Sequence, residues 1–339
     1  MAVNAAVCGA GAFGRNHLRV YRELEQDGQP VNLAAIVESN TARAAALKEE
    51  WHIPVFSSVE EALAARDSGE VRIDAASVCV PTSEHHAVAA PLLRAGIDLL
   101  IEKPIAATTS EADNLIALAH QCGRVIQPGH LERFNPAVLA VQPLLNRPMF
   151  FEAHRLSIFT PRALDVDVVL DLMIHDLDIV LSFVQSPVRE IRAVGLPILS
   201  NKIDIANVRV EFDSGCVANF TASRVSTERV RKLRFFQPRE YVSIDYARRD
   251  VLVIDVNGIP GATATPPGGL AFNKPQVKQA EPLRLEIESF LESVRTRSAP
   301  LVSAKDGRAA LALALEINQA IGEHSQRAGL VDSKSTPRN

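Results

Sequence analysis

The sequence predicts an α/β protein of two domains: an N-terminal doubly wound parallel sheet, then an α+β region built on a large, mostly antiparallel sheet. Three observations lead there. Short apolar runs alternate with helical patterns from residue 5 to residue 127, as in a parallel sheet covered by helices on both faces. Beyond residue 128 extended stretches dominate, with hairpin signals such as Asp213-Ser214-Gly215. The length, 339 residues, exceeds one average domain. The expected division is 1–127, 128–330 and a flexible tail over 331–339.

In chain order, residues 5–8 read as a strand, 15–24 as a helix, 33–37 as a strand, and 42–50 and 60–65 as helices. A strand over 75–80, a helix over 85–95, a strand over 98–101, a helix over 110–121 and a strand over 124–127 complete the first domain. In the second, 150–159 is a long strand and the run from Asp165 to Asp178 a helix. Strands follow over 188–194, 206–212, 217–225, 232–237, 241–246 and 251–256. Residues 258–282, rich in Pro and Gly, read as a loop, and amphipathic helices over 283–297 and 305–324 close the chain.

Composition narrows the function. Hydrophobic residues make up 47% of the chain, charged residues 22%, and the net charge is -4, an ordinary globular balance that does not point to nucleic acid as the main partner. The first fourteen residues lack a basic n-region, and no run of about eighteen apolar residues occurs, so a cytoplasmic protein without membrane association is expected. Cys8, Cys79, Cys122 and Cys216 are scattered, without metal-ligand spacing, and read as free thiols with no metal.

Two motifs suggest chemistry. Gly9-Ala10-Gly11-Ala12-Phe13-Gly14 follows the first strand and opens the first helix, the context in which backbone N–H groups cradle a dinucleotide diphosphate. Glu38 ends the second strand, where a carboxylate accepts ribose hydroxyls and repels a 2′-phosphate; NAD is therefore favoured over NADP, with Arg43 nearby as a counterweight. In the apolar helix, Asp167, Asp171, His175, Asp178 and Ser182 share one stripe, while Asp176 points elsewhere. A carboxylate and an imidazole on a largely buried helix need a partner, a cleft or a ligand.

Glu102-Lys103-Pro104 sets a lysine at the carboxyl end of a parallel strand, where such sheets bind ligands. Together, the glycine loop, Glu102-Lys103-Pro104 and Asp171-x3-His175-x2-Asp178 resemble the Gfo/Idh/MocA family of sugar and cyclitol dehydrogenases along essentially the whole chain. Pro81-Thr82 with His85, and the segment Gly129 to Pro136, are similar to the family's loops beside the nicotinamide. The resemblance implies a Rossmann domain, an open antiparallel sheet that often mediates homo-oligomerisation, and Lys103, Asp171 and His175 as catalytic candidates.

Within the family, the blocks around Arg133, around Arg155 and from Leu164 to Asp176 look most like dehydrogenases of nucleotide sugars on the 2,3-diamino-sugar route to lipid A. Arg133, Arg155, Arg162, Arg224 and Lys232 are available for a diphosphate. A free sugar, an inositol or a non-sugar substrate reduced by NAD(P)H are the alternatives, with a non-catalytic NAD-binding regulator more remote. Where the family often carries Gly, this chain has Met173, so a regular helix is expected there. His175 is the preferred base, with Asp171 orienting it and Lys103 meeting the alkoxide or serving as the base itself.

Overall fold

The computed structural model describes residues 2–159, 166–255 and 271–330. The chain divides into two compact units, the first holding residues up to 134 together with 280–311, the second holding 135–279 together with the chain from 312.

The first unit runs β1 (Val3–Cys8), α1 (Gly14–Gln26), β2 (Val31–Val37), α2 (Thr41–Trp51), β3 (Val55–Phe56), α3 (Val59–Asp67), β4 (Ala75–Val78), α4 (His85–Arg94), β5 (Asp98–Glu102), α5 (Thr109–Cys122) and β6 (Ile126–Gly129). Its six strands pair in the order β3-β2-β1-β4-β5-β6, all parallel. The two-residue β3 escaped the sequence reading because it is too short to show a period. Chain direction across the sheet reverses between β1 and β4, which opens a crevice at their carboxyl ends. Helix starts follow from local chemistry: Asn40 and Ser58 cap α2 and α3, and Thr108 with Glu111 forms a reciprocal box at α5.

The second unit runs α6 (Pro136–Val141), β7 (Phe150–Ile158), a wide helical turn (Val169–Met173) leading into α7 (Ile174–Val184), then β8 (Val188–Leu196), β9 (Ile205–Phe212), β10 (Val217–Ser226), β11 (Val230–Gln237), β12 (Glu240–Asp245), β13 (Asp250–Asp255) and β14 (Ala271–Asn273). The sheet order is β14-β13-β12-β11-β7-β10-β9-β8, antiparallel except for β7 with β10. Ala206, Val208, Val210 and Phe212 are buried while Asn207 and Arg209 are exposed, the alternation of a sheet with one covered face. On that face Phe183 of α7 packs against Phe151 and Phe235, with centroids 6.5 and 6.0 Å away. Part of the expected 258–282 loop differs: Ala271–Asn273 pairs with β13, and the stretch to residue 270 lies outside the described residues, as do Arg162, Leu164, Asp165 and the tail.

Two helices close the chain, α8 (Pro282–Thr296) and α9 (Ala304–Arg327). The sequence placed both in the second domain, but α8 belongs to the first unit. Its stripe of Leu283, Ile287, Phe290, Leu291 and Val294 joins one core with Val3, Leu18 and Leu24. At the start of α9, Gly307 meets β6 so closely that a Cβ would lie 2.6 Å from Pro128 Cγ.

Candidate active site

The glycine loop is shaped by its lack of side chains. Gly9 holds φ +86°, and a Cβ there would fall 2.8 Å from the Cys79 carbonyl oxygen; one on Gly14 would fall 1.9 Å from the Gly9 carbonyl oxygen. Gly11 is open by contrast, with the nearest atom 3.7 Å from where its Cβ would be. Helix α1 starts here with no acidic residue in its first turn, leaving its positive end for an anion. A cavity of about 670 Å³ at this edge is lined by Gly9, Gly11, Glu38, Arg43, Val80 and Pro81 among others. These residues fit a dinucleotide.

Glu38 is buried, with Oε2 accepting the Ala10 N–H at 3.0 Å and Oε1 the Asn40 N–H at 2.9 Å. It thus ties the glycine loop to the β2–α2 turn. Arg43 Nε stands 3.5 Å from Oε2. A carboxylate has four acceptor sites, so ribose hydroxyls can still be met.

Of the other expected cofactor residues, Ala12 and Phe13 are exposed on the loop, and Thr82 opens a short 3₁₀ turn ending at Glu84, which also lines the cavity. His85 is engaged with the backbone on either side of it. Its Nδ1 stands 2.9 Å from the Pro104 carbonyl oxygen and its Nε2 2.9 Å from the Val80 carbonyl oxygen, and the neutral ring donates to one of the two, on the turn after β5 or at the end of β4. Burial lowers its pKa, and the two carbonyls only partly counter that. The Lys103–Pro104 bond is cis, and Lys103 is half-buried.

Glu102 shows a partner that motif reading missed: His17 Nε2 lies 3.1 Å from its Oε1. The available signal was a histidine on the apolar face of α1, beside Leu18 and one turn before Tyr21. Gly129, opposite Glu102 in the sheet, has no room for a Cβ, which would lie 2.8 Å from that same Oε1.

In the second unit the Asp/His segment departs from the regular helix expected at Met173. Residues Val169–Met173 form a π-helical turn, with i→i+5 bonding, and the α-helix begins only at Ile174. Val169 and Met173 are buried, while Asp171 and His175 stay half-exposed. Asp167 is a cap: its Oδ1 accepts the Val169 and Leu170 N–H groups at 2.9 and 3.0 Å, and its Oδ2 the Asn318 amide at 3.0 Å. Asp178 is buried, and Ser182 donates to the Ile179 carbonyl at 2.7 Å.

Of the described arginines expected to meet phosphate, Arg155 and Arg224 are engaged within the protein. Arg155 is buried and bonds Asp176 through Nε at 2.7 Å and Nη2 at 3.1 Å, with its guanidinium 5.1 Å from the Tyr246 ring centroid. Arg224 bonds Asp204 at 2.7 Å and the Val166 carbonyl at 2.7 Å. Arg133 is buried in a 3₁₀ turn, Leu131–Phe134, and Lys232 stands 3.9 Å from Asp245. Among the described residues no group of His, Cys, Asp and Glu could hold a metal ion.

The model of the oxidoreductase family with an NAD-binding Rossmann fold matches residues 3–130, and that of the GFO/IDH/MocA C-terminal domain matches residues 144–237. Over 331 residues the chain is 34% identical to the UDP-N-acetylglucosamine 3-dehydrogenase of Acidithiobacillus ferrooxidans, covering 96% of this chain and 99% of that relative. The chain belongs to the Gfo/Idh/MocA family. A solved structure of the Acidithiobacillus ferrooxidans enzyme superposes with a TM-score of 0.85 at 33% identity, over 95% of this chain and 99% of that one. The inositol 2-dehydrogenase of Rhizobium meliloti is 24% identical over 350 residues, covering 96% of this chain and 99% of the relative. This Gfo/Idh/MocA protein is an NAD(P)-dependent oxidoreductase acting on CH–OH groups, as the glycine loop and Glu102-Lys103-Pro104 led us to expect. No helix among its described residues is long and apolar enough to cross a membrane.

Proposed function

We propose that this Gfo/Idh/MocA enzyme oxidises the 3-hydroxyl of UDP-N-acetylglucosamine with NAD as acceptor. What carries the reading is likeness over the full length, 34% identity to the Acidithiobacillus ferrooxidans dehydrogenase, against 24% for the inositol enzyme of Rhizobium meliloti. The choice of NAD is supported by Glu38, whose buried carboxylate borders the cavity at the end of β2 and repels a 2′-phosphate.

Nicotinamide, when bound, would supply the hydride acceptor. His175 takes the proton of the sugar hydroxyl, and Asp171 orients that hydroxyl or the imidazole ring. Lys103 stabilises the alkoxide as it forms. The C3–H bond breaks as the C=O bond forms, giving a 3-oxo sugar, NADH and a proton. Such a product suits transamination to a 2,3-diamino sugar, and the reaction belongs in the cytoplasm, where nucleotide sugars and NAD occur.

The chain also self-associates through the uncovered face of the eight-stranded sheet. That reading is supported by Phe150, Phe236 and Tyr241, which stack there with centroids 5.6 and 5.0 Å apart, Phe236 being 39% exposed.

The test is NAD reduction at 340 nm with UDP-N-acetylglucosamine, free N-acetylglucosamine and myo-inositol. Turnover of the nucleotide sugar alone is expected. Turnover of inositol alone overturns the substrate assignment.

A further inference from the structure

Four polar side chains in the first unit form a chain that the proposed reaction does not use. Tyr21 Oη lies 2.9 Å from Ser77 Oγ on β4, and Ser77 Oγ lies 3.1 Å from His17 Nδ1. His17 Nε2 then meets Glu102 Oε1 at 3.1 Å. Tyr21, Ser77 and His17 are each 0% exposed. The second oxygen of Glu102, Oε2, accepts the backbone N–H of Lys103 at 3.3 Å.

The direction of the chain follows from what each group can do. A carboxylate only accepts, so His17 Nε2 carries the hydrogen, and in the neutral imidazole Nδ1 then accepts from the Ser77 hydroxyl. The Ser77 oxygen in turn accepts from Tyr21, whose phenol burial keeps protonated by pushing its pKa up. The sequence therefore runs one way, from Tyr21 to Glu102. It is no proton path to solvent, because its far end is buried. Its effect is mechanical: His17 in the first turns of α1 fixes the carboxylate that holds the Lys103 backbone.

We propose that His17 is a positioning residue, which through Glu102 ties the cofactor-binding helix to the turn that aims Lys103. Phe13, in the glycine loop, packs edge-on to the imidazole with centroids 5.4 Å apart and keeps the ring in its plane of bonding. Gly129 is part of the same arrangement, since only a residue without a side chain leaves the Glu102 carboxylate its place. The inference rests on the reading that Lys103 acts at the substrate hydroxyl.

The test compares His17→Leu with His17→Gln, whose amide can still donate to Glu102. His17→Leu is expected to lower kcat for UDP-N-acetylglucosamine by about tenfold to a hundredfold, the effect of misplacing a reacting group by an ångström or less. NADH affinity, read by fluorescence titration, stays within about threefold, and His17→Gln recovers most of the rate. A second readout needs no substrate: the pH profile of Lys103 acetylation by acetic anhydride, followed by peptide mass spectrometry, is expected to move in His17→Leu and return in His17→Gln. If the unaltered enzyme does not turn over the sugar, the proposed function fails while the acetylation profile still decides the role of His17. If His17→Leu does not fold, Ser77→Ala, which removes only the hydroxyl that orients the ring, takes its place and is expected to show the same changes in milder form. An unaltered acetylation profile, or cofactor affinity lost in parallel with turnover, overturns the proposal.

Discussion

Arg155 on β7 and Asp176 on α7 form a two-point ion pair, 2.7 and 3.1 Å long, with both side chains 4% exposed. The pair anchors the helix that carries His175 to the sheet. Removing one partner strands a buried charge, so Asp176→Ala is expected to cost about 3–5 kcal/mol, whereas an apolar replacement of both partners costs much less. Urea denaturation of the single variant and of Arg155→Met/Asp176→Leu measures the difference; a single variant within 1 kcal/mol of the parent contradicts it.

His175 is assigned the proton. His175→Asn keeps a polar side chain but has no basic nitrogen, so the single-turnover rate of NADH formation is expected to fall about 10²- to 10⁴-fold with cofactor binding intact. A near-normal rate would move the base to Lys103.

Glu38 is assigned the choice of cofactor. Glu38→Ser removes the charge that repels a 2′-phosphate and leaves Arg43 beside it, so the ratio of kcat/KM for NAD to that for NADP is expected to drop at least about tenfold. An unchanged ratio would show that the carboxylate serves the Ala10 and Asn40 amides alone.

Gly129 is assigned the space beside Glu102. In Gly129→Ala the new methyl lies 2.8 Å from Glu102 Oε1 and 3.0 Å from its Cα, so the carboxylate must leave His17 or the strand must shift. The expected result is a fall in kcat of about tenfold with little change in NADH affinity. Steady-state kinetics beside a fluorescence titration decide it.

His85 makes stability depend on pH. Burial lowers its folded pKa below the ordinary 6.5, so the unfolded chain takes up the proton first as the solution is acidified. The stability conferred by neutral His85 is therefore complete above 6.5 and is lost as pH falls from there through the folded value. Urea midpoints measured from pH 8 down to pH 5 should fall more steeply for the parent than for His85→Gln.

The first domain was legible in the residues because its signals are local. Apart from the two-residue β3, each strand and helix there is written in a run of a few residues, and Gly9 and Gly14 announce a turn whose geometry only glycine satisfies. The spacing of Asp171 and His175 was likewise visible, since a helix returns to the same face every three or four residues.

What the sequence determined by itself is which faces are apolar and which turns need glycine, and with these the fold class, the cofactor loop and the Lys103 turn. Tertiary packing decided what meets those faces. The stripe on α8 could have covered either sheet, and only its fit to Val3 and Leu18 assigns it to the first unit. The turn at Val169–Met173 is wider than Met173 suggested. His17 and Glu102 are 85 residues apart, and Arg155 and Asp176 are 21 apart. Periodicity carries no information about such pairings, because a buried charge or imidazole takes its partner from whichever element packs against it.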